Sequence, residues 1–224
     1  MMGDFQQARR QMVDCQIRPN DITDLDIIDA FSSVPREMFV PQSKKEIAYI
    51  DKDLMIADSG PQSEERFLMQ ATPFAKLVKA ASIKPSDLVL CVACGCGYGA
   101  AIVANLADSV VAIDENQSLV DHASETVNEL GIDNLAIIHG DLEKGCPSEA
   151  PFDVILIEGA IIAPPDTLFA QLRDGGRLVT VMGEGLSSEV CIYLKQSSDI
   201  SIIKSGNVSV PSLTAFSLKE EFTF

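Results

Sequence analysis

The stretch Leu88–Asp114, LVLCVACGCGYGAAIVANLADSVVAID, decides the fold of this chain. Its first five residues form a short apolar run that is typical of a buried parallel strand. Glycines at alternate positions over Gly95–Gly99 follow, and a residue without a Cβ permits a tight turn and lets a ligand approach the backbone. The pattern then predicts a helix over Ala100–Ala107, with its N-terminal amides facing that ligand, and a second strand ending in Asp114. Together these features indicate a nucleotide-binding unit.

The position of Asp114 supports a nucleotide-binding unit. An acid about twenty residues after a glycine turn is where a Rossmann-type fold binds ribose hydroxyls. The turn alone does not separate ATP, NAD, FAD and S-adenosylmethionine sites, because all of them use related versions. A nicotinamide dehydrogenase needs three spaced glycines and a hydride-handling partner. Here that spacing begins at Ala93, and the histidines available are His122 and His139.

Composition narrows the class of protein. The 224 residues are 46% hydrophobic, which is ample for one large packed domain. A net charge of −16, from 33 acids against 17 bases, argues against nucleic acid as a partner. The sequence has neither a signal-peptide pattern at its start nor an apolar run long enough for a membrane span. Six scattered cysteines predict reduced thiols and a cytoplasmic location.

The apolar pattern after Asp114 alternates between strand and helix. It predicts, in order, helix Leu119–Leu130, strand Leu135–Ile138, strand Val154–Ile157, helix Pro165–Leu172 and strand Leu178–Val181. Such alternation is typical of a doubly wound α/β fold with a parallel sheet. Two later strand-like runs, Val190–Leu194 and Ile200–Ile203, have no helix between them. They predict an antiparallel C-terminal edge.

The N-terminal part is predicted to be helical. Apolar spacing indicates helices over Phe5–Ile17 and Asp24–Val34, with Thr23 as a candidate cap for the second. A third helix is expected to start from Thr72 as its N-cap and to run to Ser82. Because no repeat or composition break divides the chain, we expect one domain over residues 1–224. Its parts are a helical cap with a lead-in helix, 1–82, and an α/β core, 83–224.

Several segments resemble one known family. They are MVDCQI (12–17), VPREMFVP (34–41), AYIDKDLMI (48–56), HGDLEKG (139–145), APFDVILIEGA (150–160) and LRDGGRLVTVMG (172–183). Together with the glycine turn they resemble the protein-L-isoaspartate O-methyltransferases, which have a Rossmann-like fold and depend on S-adenosylmethionine (SAM). The pairing of VPREMFVP with an alanine-tyrosine-x-aspartate segment is not a general methyltransferase feature, so the resemblance is specific.

The resemblance implies a reaction, a cofactor and a partner. The reaction is methyl transfer from SAM to the side-chain carboxylate of an isoaspartyl residue, so the partner is a damaged protein or peptide. The implied cofactor contacts are the turn around Ala93, Gly95 and Gly97 for the methionine portion, Asp114 for the ribose, Asp141 with Leu142 for the adenine edge, and Glu158 bordering the transfer site. No metal is expected, since Cys91, Cys94 and Cys96 lack an obvious fourth ligand.

The sequence departs from the family pattern at functionally important positions. The family has an acid where Cys91 stands, a glycine where Ala93 stands, and a second glycine where Leu142 follows Asp141. Its serine-x-proline motif, whose serine lies beside the reacting methyl group, falls on Met69 and Ala71. No catalytic residue is therefore assigned. The alternative hypothesis is a SAM-binding or non-catalytic relative with lost or altered acceptor specificity.

Overall fold

The computed structural model describes residues 4–57, 65–183 and 185–216. Within those residues the strands are β1 Leu54–Ala57, β2 Arg66–Leu68, β3 Leu88–Val92, β4 Ser109–Asp114, β5 Leu135–His139, β6 Phe152–Ile161, β7 Leu172–Met182, β8 Glu189–Gln196 and β9 Asp199–Asn207. Strands β1 and β2 pair as an antiparallel ribbon, and the other seven form one sheet in the order β5-β4-β3-β6-β7-β8-β9.

The seven-stranded sheet has a parallel centre and an antiparallel edge. Strand β3 pairs in parallel with β4 on one side and β6 on the other, and β5 and β7 extend the parallel part. Strands β8 and β9 add antiparallel pairs. The predicted doubly wound α/β fold with an antiparallel C-terminal edge is thereby confirmed. Because the chain changes direction across the sheet at β3, the carboxyl ends of β3, β4 and β6 surround a crevice where such folds bind ligands.

The helices follow the predicted order with shifted ends. They are α1 Phe5–Met12, α2 Leu25–Ser33, α3 Ala71–Ala81, α4 Tyr98–Ala104, α5 Gln117–Glu129 and α6 Asp166–Ala170. A π-helical segment, Val13–Ile17, continues directly from α1. We find no helix in the described part of the chain that is long and apolar enough to cross a membrane.

Both predicted helix caps were wrong. The carboxylate of Asp24, rather than the hydroxyl of Thr23, accepts the free amides at the start of α2. Helix α3 begins one residue before Thr72, whose hydroxyl donates to the Gln16 carbonyl at 2.6 Å. The Thr72 hydroxyl therefore makes a tertiary hydrogen bond instead of the capping bond that the local pattern predicts.

The N-terminal helices pack on the glycine-turn unit through aromatic rings. Tyr98, in the first turn of α4, is fully buried, with the rings of Phe39 and Phe31 at 5.8 and 6.5 Å between centroids. The guanidinium carbon of Arg36 lies 4.9 Å from the centre of the same ring. The VPREMFVP segment therefore anchors the cap on the helix that follows the turn.

Candidate functional site

The turn between β3 and α4 is left-handed at three positions. Ala93, Gly95 and Gly97 have φ values of +60°, +52° and +85°. The Cys94 amide donates to the Ile113 carbonyl at 3.1 Å, which ties the turn to β4. A left-handed alanine costs about 1–2 kcal/mol relative to its usual conformations, so Ala93 stores strain where glycine would store none.

Replacing Ala93 with glycine is expected to raise the free energy of unfolding by about 0.5–1 kcal/mol. The gain is the relieved strain less the extra freedom that glycine gives the unfolded chain. Urea unfolding measures it. The matched control is Ser197→Gly, because Ser197 has φ +56° in the exposed turn between β8 and β9. A loss of stability in Ala93→Gly beside a gain in the control would contradict strain at the turn.

Asp114 ends β4 and connects the strand to the turn. Its side chain has no exposed surface. Oδ2 accepts the Gly95 amide and Oδ1 accepts the Asn116 amide, both at 2.9 Å. The acid predicted for ribose binding therefore also holds the turn in place.

Arg66, on β2, covers that acid. Its Nε lies 3.7 Å from Asp114 Oδ1, and its Nη2 pairs with Glu115, the next residue. Sequence reasoning missed Arg66, because it lies outside every motif and only the β1–β2 ribbon brings it to the end of β4. A sugar hydroxyl that reaches Asp114 must first displace this guanidinium.

Glu158 stands beside the turn on the other side of β3. The register pairs Val92 with Ile157, so Glu158 is the neighbour of Ala93 at the carboxyl edge of the sheet. Part of the residue reaches the surface, but Oε1 is buried and has no hydrogen-bond partner. Burial, reinforced by the charge of Asp114, raises the pKa of Glu158 well above its usual value. Burial and the neighbouring charge therefore both favour the protonated form of Glu158.

The carboxyl group of Glu158 occupies the space beside Gly99 in α4. A Cβ at residue 99 would lie 2.1 Å from Glu158 Oε2, so a side chain there must move the carboxyl group. Glu158 also lies close enough to Cys91 for its charge to act on that thiol. An acid on β6 is thus present beside the position where the family pattern has one on β3.

The three cysteines around the turn are buried core thiols. Burial raises the pKa of Cys91 and of Cys94 well above the usual thiol value, and it raises the pKa of Cys96 to about 12. All three are therefore protonated and unreactive at neutral pH. A search of the described residues found no cluster of histidine, cysteine and acidic side chains that could hold a metal ion.

A small cavity adjoins the turn. Its walls include Met69, Ala93 and Glu158, and the C-terminal segment 211–213 closes one side. That segment is fixed by hydrogen bonds with Ala160, which donates to the Pro211 carbonyl at 2.9 Å and accepts from the Leu213 amide at 2.8 Å. The position where the resemblance expects a serine, Met69, therefore lies at the same cavity as Glu158.

Asp141 and Leu142 lie away from this cavity. The Asp141 carboxylate accepts the amides of Glu143 and Lys144 at 3.0 and 3.2 Å, and it pairs with the Lys144 ammonium at 2.8 Å. The hydrogen bond from Lys144 lowers the pKa of Asp141. The side chain of Leu142 is buried in the core. Of this pair, only the Asp141 side chain is exposed to a ligand.

A wider cleft lies at the opposite edge of the sheet. It runs between α2, the end of α3 and the end of α4, and the carboxylates of Asp24, Asp26 and Asp29 line it. None of the predicted site residues borders it. Of the positions that the sequence singled out, Met69, Ala93 and Glu158 border the smaller cavity at the carboxyl edge.

Comparison with known proteins decides the family. The family model "Protein-L-isoaspartate(D-aspartate) O-methyltransferase (PCMT)" matches residues 7–215. The chain belongs to this family. A protein-L-isoaspartate O-methyltransferase of Syntrophus aciditrophicus is 35% identical over 208 residues, 93% of each chain. A second, from Syntrophobacter fumaroxidans, is 34% identical over 191 residues, 85% of this chain and 86% of that protein.

Solved structures with similar folds carry the same family name. One protein-L-isoaspartate O-methyltransferase superposes with a TM-score of 0.80 at 24% identity, covering 92% of this chain and 65% of that one. A putative enzyme of the family from Plasmodium falciparum was solved with S-adenosyl-L-homocysteine. It superposes with a TM-score of 0.72 at 20% identity, covering 93% of this chain and 97% of that one. Family membership sets aside the dehydrogenase interpretation.

Proposed function

We propose that this chain transfers the methyl group of SAM to the side-chain carboxylate of isoaspartyl residues in proteins or peptides. The observation that carries the proposal is a pair of acids beside a left-handed turn in a member of this family: Asp114 is fully buried, and Glu158 has a buried oxygen without a partner. Acidic side chains at the site suit a ligand that carries a sulfonium and an ammonium group.

The residues present fit SAM. We propose that the turn from Ala93 to Gly97 holds the methionine portion, that Asp114 binds the ribose once Arg66 has moved, and that the backbone at 141–142 borders the adenine. Glu158 then lies on the side of the turn that faces the cavity. The unpartnered Oε1 of Glu158 supports this placement, since a buried acceptor without a donor is costly unless a ligand supplies one.

The chemistry demands positioning rather than proton removal. A free carboxylate has a reference pKa near 4, so the acceptor is already ionised at neutral pH and needs no general base. Bound SAM supplies an activated methyl group on its sulfonium. The chain aligns the acceptor and excludes water, and the apolar walls at Met69 and Leu213 serve the second task. Such alignment contributes about 7–11 kcal/mol in favourable systems.

Calorimetric titration with S-adenosylhomocysteine, followed by methylation of an isoaspartyl peptide, tests the proposal. The matched control is the same peptide with ordinary aspartate. We expect saturable binding and methylation of the isoaspartyl peptide alone. Binding without turnover would favour the non-catalytic alternative, and no binding at millimolar ligand would overturn the proposal.

Replacing Met69 with serine is expected to raise kcat for the isoaspartyl peptide about 2- to 10-fold. The hydroxyl adds a neutral hydrogen bond at the cavity, worth about 0.5–1.5 kcal/mol. Met69→Ala is the matched control, because it opens the same space without a hydroxyl. The two variants are compared by steady-state kinetics, at a temperature well below that at which either unfolds. Equal rates in the two variants would show that the hydroxyl contributes nothing.

We also propose that residues 1–224 act as one methyltransferase domain, with 1–82 as the cap over the core. Supporting this, Arg36 and Phe39 in the cap contact the ring of Tyr98 in the core, at 4.9 Å from the guanidinium carbon and 5.8 Å between ring centroids. We propose a cytoplasmic location on the grounds of six free cysteines, five of them buried.

A further inference from the structure

Glu158 is an acid that borders the small cavity beside the turn, together with Ala93. Its carboxyl group lies against Gly99 of α4. Oε1 is buried and accepts no hydrogen bond. An unpaired buried acceptor costs about 1–3 kcal/mol, so the arrangement favours a ligand that brings a donor.

Among the residues that the structure describes, the titratable and charged groups near Glu158 are the thiols on β3 and the turn, the acid on β4, and two charged residues at the cavity rim. They are Cys91, Cys94, Cys96, Asp114, Glu65 and Arg66. The thiols remain protonated because burial raises the pKa of each. Arg66 is engaged with Asp114 and Glu115.

We propose that the carboxyl group of Glu158 binds the α-ammonium group of the amino-acid portion of SAM. The inference rests on the proposed function, since it assigns a partner to one residue of that site. Of the two positive groups on this ligand, only the ammonium carries N–H donors, and Oε1 is an acceptor. The sulfonium has none to offer. Glu158 is therefore a specificity-determining residue for the amino-acid portion.

Binding of the ammonium is coupled to loss of a proton. Without ligand, burial favours the protonated form of Glu158, because it raises the pKa of that carboxyl group well above its usual value. An adjacent positive charge favours the carboxylate and lowers that pKa. The proton leaves to the buffer as the ion pair forms. Ligands that lack the amino group do not release it.

Two probes isolate this contact. S-adenosylhomocysteine carries the amino-acid portion, and 5′-methylthioadenosine has the same adenosine and thioether without it. Calorimetry at pH 6.5 in buffers of different ionisation enthalpy counts the protons released. We expect proton release with the first ligand and none with the second.

Glu158→Gln keeps the shape of the side chain and removes its charge and its proton. It is expected to weaken S-adenosylhomocysteine binding at least 10-fold, to abolish the proton release, and to change 5′-methylthioadenosine binding less than 3-fold. Gly99→Ala is the second variant, because its Cβ displaces the carboxyl group without altering it. Gly99→Ala should likewise weaken binding of S-adenosylhomocysteine and leave 5′-methylthioadenosine binding nearly unchanged. Thermal unfolding of both variants checks that they are folded.

The outcomes separate the two levels of the proposal. Equal loss of affinity for the two ligands in Glu158→Gln would overturn the role of Glu158 while leaving the cofactor site intact. Absence of binding by the parent protein to either ligand would overturn the proposed function, and this inference with it.

Discussion

Replacing Arg36 with methionine is expected to lower the free energy of unfolding by about 3 kcal/mol. The buried guanidinium donates to the carbonyls of Ala48 and Met69, both at 2.7 Å, and lies over the Tyr98 ring. Methionine fills similar space but leaves two buried acceptors without donors, at about 1–3 kcal/mol each. For a chain of this size that corresponds to a fall in Tm of about 6–12 °C.

Two further variants make the test of Arg36 specific. Arg36→Lys keeps the charge, but one ammonium cannot reproduce the planar fork that reaches both carbonyls, so a substantial loss is expected here too. Arg18→Met is the control, because Arg18 is half exposed and pairs with Asp14 one helical turn away. Such pairs contribute about 0.3–0.5 kcal/mol. If Arg36→Met unfolds at the same urea concentration as Arg18→Met, Arg36 does not anchor the cap.

The central fold could be predicted from sequence because its signals are local. The run from Leu88 to Asp114 contains strand, turn, helix and strand in consecutive residues, and the structure has each of them within a few residues of the expected bounds. Strand β6 is longer than predicted because it continues through Glu158 to Ile161. Because that end of the strand contains polar and glycine residues, the apolar pattern did not predict that the strand continues there.

The contacts that shape the site are long-range, and sequence could not supply them. Arg66 and Asp114 are in contact although 48 positions separate them in the sequence, and Glu158 and Gly99 are in contact across an even longer separation. Neither pair belongs to one element, so no periodicity or motif links its members. The resemblance placed Glu158 at the border of the transfer site, but only the structure shows that Gly99 leaves room for its carboxyl group.

Two departures from the family pattern lie close together, at Cys91 and Ala93. The turn lacks an acid at Cys91, and a carboxyl group from the neighbouring strand stands close to that thiol. The turn also lacks a glycine at Ala93, yet it keeps the left-handed conformation at the cost of strain. The left-handed backbone of the turn and a nearby acid are thus present although the residues that provide them differ from the family pattern.

Replacing Asp114 with asparagine is expected to weaken S-adenosylhomocysteine binding about 10- to 100-fold. A hydrogen bond to a charged group contributes about 1.5–3 kcal/mol, and the amide also loses an acceptor for one of the amides of Gly95 and Asn116. Calorimetric titration measures the affinity. The control is Asp108→Asn, an exposed acid just before the other end of β4.

The pattern across ligands distinguishes Asp114 from Glu158. Because the ribose is common to S-adenosylhomocysteine and 5′-methylthioadenosine, Asp114→Asn should weaken both by the same factor, whereas Glu158→Gln should weaken only the first. Urea unfolding of Asp114→Asn separates damage to the turn from loss of the ribose contact, since a folded variant with unchanged midpoint leaves the contact as the cause. Loss confined to the ligand with an amino-acid portion would place Asp114 away from the ribose and contradict its assigned role.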